Sequence, residues 1–136
     1  MTSPFELKVL TYVALATALM WLPYTLALIV NGGLAVTMGN RDRPLPPLPL
    51  WAQRAKRAHA NAIENLVVFA PLTLVASMVH VSAPLLAWTT MLYLLARVAH
   101  YIIYAAGIPV VRTLLFFTGW IATLVIGASI LSTLSQ

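Results

Sequence analysis

The chain has 136 residues, 61% of them hydrophobic and only 8% charged, with a mean hydropathy of +0.90. A water-soluble domain covers itself with roughly 25% Asp, Glu, Lys and Arg, so this composition excludes a soluble enzyme, a disordered chain and a collagen-like repeat, and leaves an integral membrane protein. The absence of cysteine excludes disulfides, thiolate metal sites and a cysteine nucleophile. The formal charge of +5 reports topology rather than nucleic-acid binding, because the basic residues are few and lie among apolar segments.

No charge occurs between Lys8 and Arg41, and Val9 to Val30 supplies about 33 Å of helix at roughly 1.5 Å per residue. That spans a hydrocarbon core of about 30 Å. The apolar run is too long for a signal peptide, and no small-residue cleavage site precedes the polar stretch, so residues 5–31 are expected as a retained helix. Pro23 should kink it, since proline removes a backbone donor and clashes with the preceding turn. The stretch NGGLAVTMGNRDRPLPPLPLW is rich in Gly and Pro and is expected as a connection over 31–51. Helical pattern resumes at Trp51, and no further charge appears after Glu64 until Arg97. This is too long for one crossing, and His80 to Pro84 offers a hairpin break, which predicts helices over 51–79 and 84–106. After Gly107 and Pro109 a fourth helix is expected over 110–134. The fold expected is all-α: an integral membrane four-helix bundle, one domain over 1–136.

Arg41, Arg43, Arg54, Lys56 and Arg57 lie in or beside the first connection and Arg112 beside the third, while the second has no Lys or Arg. By the positive-inside rule the 31–51 and 107–112 connections face the cytoplasm and both termini face the other side.

Ionisable groups within a spanning helix cost at least about 2.5 to 3.5 kcal/mol each near its centre, so they usually face the bundle interior. The second helix carries Arg57, Asn61 and Glu64 at i, i+4, i+7. The third carries Arg97, His100 and Tyr104 at i, i+3, i+7. Each set lies on one helical face, and counting depth from the cytoplasmic ends of these antiparallel neighbours matches the two ladders. Glu64 is expected to pair with Arg97 as a structural ion pair, His100 to lie level with Asn61, and Arg57 and Tyr104 to line the mouth. Arg57 and Arg112 have no obvious acidic partner, and guanidinium groups near a membrane interface suit a carboxylate ligand, which their planar fork binds in a bidentate way. His59 lies off the Arg57 face. Gly119, Thr123 and Gly127 form a small-residue stripe suited to close helix packing. No paired carboxylates, HExxH or phosphate loop occur, so metal hydrolysis and nucleotide chemistry have no support.

RAKRAHANAIENL, Arg54 to Leu66, followed by RVAHYIIYAAGIPVVRT, Arg97 to Thr113, resembles the membrane-associated proteins in eicosanoid and glutathione metabolism (MAPEG), particularly their short bacterial members. The likeness covers essentially the whole chain. It implies a homotrimer in a membrane such as the bacterial inner membrane, with glutathione bound between subunits near the cytoplasmic side as cosubstrate and no metal. Carried over by motif, Arg57, Asn61, Glu64, His100 and Tyr104 would contact glutathione, with Arg97 close by. Arg112 would stabilise the thiolate, and Thr113 occupies a position where a hydroxyl lies near the thiol in some relatives. The reaction implied is glutathione-dependent transfer or peroxide reduction on lipophilic electrophiles arriving through the bilayer. A thiol of pKa about 8.5 is mostly protonated at neutral pH, and a guanidinium at a helix N-terminus lowers that value. Two positions depart from the pattern: Ala60 replaces a second basic residue, and Phe116 replaces a Tyr whose hydroxyl approaches the sulfur in several relatives. They keep open a second reading, lipid or thiol binding without catalysis. A small cation transporter is disfavoured, because the first helix holds no acid in the uncharged run between Lys8 and Arg41.

Overall fold

The computed structural model describes residues 4–40, 42 and 44–136, so Arg41 and Arg43, two of the basic residues assigned to the first connection, lie outside the described residues. Six helices are described: α1 (Phe5–Leu19), α2 (Leu22–Gly32), α3 (Leu34–Met38), α4 (Leu50–Met78), α5 (Ala83–Ala106) and α6 (Pro109–Leu134). Among the described residues, four segments are long and apolar enough to cross a membrane, namely Phe5–Gly32, comprising α1 and α2, then α4, α5 and α6.

The first span is two helices rather than one. Pro23 sits in the first turn of α2, where its missing N–H costs nothing. Just before it the helical hydrogen bonding is interrupted, because proline lacks the N–H that would reach the carbonyl four residues before it, here that of Leu19, and its ring clashes with that carbonyl. The break falls at Met20 and Trp21, and the Tyr101 hydroxyl of α5 donates to the Met20 carbonyl at 2.8 Å. A backbone acceptor freed inside the membrane therefore finds a side-chain donor. Gly33 (φ +81°) closes α2 and leads into the short α3, which lies within the connection expected to lack a helix. The other ends fall where expected. α4 stops before His80 (φ +61°), and Gly107 (φ +83°) caps α5, its N–H reaching the Ile103 and Tyr104 carbonyls. Pro109 opens α6.

The bundle packs α5 against α4, α6 and α1, and α4 also against α1, α2 and α6. Ala52, Ala55, Ala58 and Ala62 are buried along α4, a run of small residues that lets neighbouring backbones approach closely. Toward the far end the core centres on Phe69 and Tyr93, whose rings stack 3.5 Å apart, surrounded by Val9, Val13, Leu86, Ala122, Ile126 and Ile130. Large apolar side chains such as Trp88 (78% exposed) point outward. This arrangement is destabilising in water and favourable in lipid, so the chain is a multi-pass membrane protein.

Candidate functional site: an arginine recess and a buried guanidinium

The α5–α6 turn and the first turns of α4 enclose a recess of about 140 Å³ lined by Arg54, Arg57, Tyr104, Gly107, Pro109 and Arg112. Local sequence explains the convergence. Arg54 and Arg57 are three apart on α4 and share a face. Gly107 has no side chain, and a Cβ there would collide with the Arg54 guanidinium, which lies over the turn. Arg112 projects from the first turn of α6, its guanidinium carbon 4.5 Å from the centre of the Tyr104 ring. Three guanidinium groups thus surround one small space whose wall, among the described residues, contains no carboxylate. Mutual repulsion disfavours that arrangement until an anion enters. The amino-terminal end of α6 adds a favourable dipole for negative charge.

Deeper in the bundle, Arg97 is 3% exposed. Its Nη1 donates to Asn61 Oδ1 at 3.2 Å and its Nη2 to Asn65 Oδ1 at 2.9 Å, while Nε has no partner among the described residues. The expected Glu64–Arg97 ion pair is therefore corrected: within the subunit Arg97 is held by two amides. The reason is helical geometry. Asn61 and Asn65 are one turn apart and flank the guanidinium, whereas Glu64 lies rotated toward α6. Tyr93 and Phe116 bracket the group, their ring centres 5.1 and 5.4 Å from its central carbon. Gly119 leaves room for it, since a Cβ there would stand 2.9 Å from Nε and Nη2. The Tyr93 hydroxyl is also buried without a partner.

His100, 4% exposed, links the two levels. Its ring meets Tyr104 edge-on at 5.5 Å and Phe116 at 6.4 Å. Arg97, not His100, is thus bonded to Asn61, a shift of one rung from the expected register, while Arg57 and Tyr104 share the mouth as expected. Glu64 is exposed and lines a groove of about 860 Å³ between α4 and α6, together with Asn61, Asn65, Phe116, Trp120 and Thr123. Thr113 does not enter the recess. Its hydroxyl donates to the Pro109 carbonyl at 3.0 Å, and the residue borders a shallow depression with Val110 and Leu114. His59 accepts or donates at Nδ1 to the Tyr24 hydroxyl at 2.8 Å, tying α4 to α2.

Two participants escape a reading of the ladders. Arg54 counts toward topology, yet its spacing from Arg57 already places it on the recess face. Asn65 falls outside the i, i+4, i+7 series, but it stands one turn beyond Asn61 and donates to the Asn61 carbonyl at 2.8 Å.

The arrangement offers a cationic recess near one end of the bundle, a polar seam at Asn61, Asn65 and Arg97, and an apolar groove open to the side. No curated protein matches the chain. Residues 9–132 match the model of the MAPEG family, nearly the whole length, and the chain belongs to that family.

Proposed function

We propose that the protein binds glutathione or a similar acidic thiol and promotes its reaction with lipophilic electrophiles that reach the site from the bilayer. The observation that carries this reading is the recess of Arg54, Arg57 and Arg112 with no carboxylate in its wall. Glutathione bears two carboxylates, and forked guanidinium groups are the side chains suited to them. The donor set therefore fits the ligand. The recess is small against the roughly 300 Å³ or more of a pocket enclosing a whole drug-sized ligand. It accommodates one carboxylate end, and the remainder lies outside it.

That size supports the homotrimer proposed from the family pattern. Glu64 and Thr113 are exposed on lateral faces of the subunit, where a neighbouring copy would enclose them. Glu64 is then free to receive an ammonium group, since it spends no charge on Arg97. In this reading Arg57 and Arg54 hold a carboxylate, Tyr104 fixes the Arg112 guanidinium through its ring face, and Arg112 lowers the pKa of a thiol placed beside it. Glutathione supplies the nucleophilic sulfur. The α4–α6 groove, apolar below Asn65, admits an electrophile from lipid. The site works from the cytoplasmic side, following the Arg and Lys residues in and beside the first connection.

A second reading is favoured by Phe116. It packs on both Arg97 and His100 and brings no hydroxyl to that position, which suits thiol or lipid binding without turnover. Purified protein assayed with glutathione and a generic aromatic halide separates the two. The catalytic reading expects conjugation by the wild type. It also expects loss of the thiolate absorbance and of conjugation in Arg112→Ala, with the oligomer intact. Binding without conjugation supports the second reading, and an unchanged rate in Arg112→Ala contradicts the role given to that residue.

A further inference from the structure

A second cavity, about 590 Å³, lies between α2, the proline-rich connection and the start of α4, its wall including Trp21, Leu28, Pro46, Gln53, Lys56 and Arg57. Its walls are fixed by specific contacts. Pro46 packs directly on Gly32 at the end of α2, where an added Cβ would stand 2.6 Å from the proline Cγ. Gln53 Nε2 donates to the Leu48 carbonyl at 2.7 Å, pinning the connection to α4. The Tyr24–His59 hydrogen bond holds α2 against α4 behind it.

The lining of this cavity combines two chemistries. In the second turn of α4, Lys56 and Arg57 are exposed cations, and no carboxylate among the described residues lines the space. Asp42, the acidic residue of the connection, borders a neighbouring depression with Asn40 and Pro44 instead. Leu28 of α2 also lines the space, and Trp21, in the break just before α2 and 44% exposed, lies deeper along the chain from Gly32. Trp21 precedes Gly32 by about 16 Å of helix at 1.5 Å per residue, so the cavity runs from the membrane surface toward its interior. Lys56 and Arg57, roughly 9–11 Å into α4 at 1.5 Å per residue, beside Leu28 and with the Trp21 ring deeper, match an amphiphile with an anionic head.

We propose that this cavity is a site for an anionic phospholipid, its phosphate held by Lys56 and Arg57 and the start of an acyl chain lying along Leu28 and Trp21. Basic pockets between membrane helices hold anionic headgroups in this way. Free phosphate could meet the same two cations, but it leaves the Trp21 and Leu28 wall without an apolar partner, which forfeits the hydrophobic contribution. The site is distinct from the arginine recess: Lys56 lines only this cavity, Arg54 and Arg112 line only the recess, and Arg57 borders both. It stands whether or not the recess binds a thiol.

Quenching of Trp21 fluorescence tests the proposal. Replacing the exposed Trp51, Trp88 and Trp120 by Phe leaves Trp21 as the sole reporter. In nanodiscs, brominated phosphatidylglycerol should quench it more than brominated phosphatidylcholine at the same mole fraction. Lys56→Gln should reduce that preference roughly fivefold, the factor expected for one cation near an anionic surface. Lys56→Arg should retain it, and excess inorganic phosphate should not reverse it. Equal quenching by the two lipids, a preference untouched by Lys56→Gln, or reversal by inorganic phosphate would overturn the assignment.

Discussion

Arg97 sits in the bundle with two neutral amides as its hydrogen-bond partners and an unpartnered Nε. Burying a guanidinium without a counter-ion is costly, and its position is tolerable only because every wall contributes: Asn61 and Asn65 accept, Tyr93 and Phe116 present ring faces, and Gly119 yields space. Gly119→Ala should therefore push the guanidinium off its amide acceptors. The expected cost is roughly 1–3 kcal/mol for overpacking, read as earlier unfolding in a detergent thermal melt. Gly127 on the same helix is the control. An added Cβ there meets only Leu72 at 3.8 Å, so Gly127→Ala should be neutral or slightly stabilising through helix propensity. Equal behaviour of the two variants would deny Gly119 its role. The sequence spacing of the two ladders correctly announces that Arg97 faces α4, but it cannot distinguish Glu64 from Asn61 and Asn65 as its neighbour. That choice depends on how far α4 is rotated toward α6, a tertiary quantity that a difference of one residue in spacing does not encode.

At the level of helices, the four spans are legible because uncharged runs of membrane length are separated by Gly, Pro or charge. Pro23, His80, Gly107 and Pro109 mark their ends for stated backbone reasons. The short α3 is not legible: its five residues, LAVTM, stand between Gly33 and Gly39 and are too few to show a period. The break in the first span is anticipated as a kink, but its stabilisation is not, since nothing in the sequence links Met20 to Tyr101. The pair predicts a coupling. Tyr101→Phe should destabilise the protein by roughly 0.5–1.5 kcal/mol, the value of one hydrogen bond. The effect should shrink in a Pro23→Ala background, where the helix can close over the break. Additive losses in that double-mutant cycle would show that the Tyr101 hydroxyl does not serve the break.

For the whole molecule, the membrane crossings follow from scarce charge, and the orientation is proposed from where the basic residues lie. The basic residues concentrated around 41–57 predict that a reporter fused at Pro47 behaves as cytoplasmic, whereas a signal from the opposite side would invert the proposed orientation. The site is partly legible. Arg57 and Tyr104 meet at one mouth, as their depth along neighbouring helices suggests; Arg112 lines it from the start of α6, and Arg54 joins them because Gly107 leaves room above the turn. Glu64 and Thr113 face outward instead, and one chain alone does not enclose what they would hold. The central claim is that the arginine recess binds the carboxylate of an acidic thiol, and calorimetric titration of the purified wild type and Arg54→Ala with glutathione tests it most directly. Saturable binding that weakens with salt is expected, with a loss of roughly tenfold or more in Arg54→Ala, as when a charge-assisted hydrogen bond is removed. No saturable binding by the wild type, or the same affinity in both proteins, would contradict it.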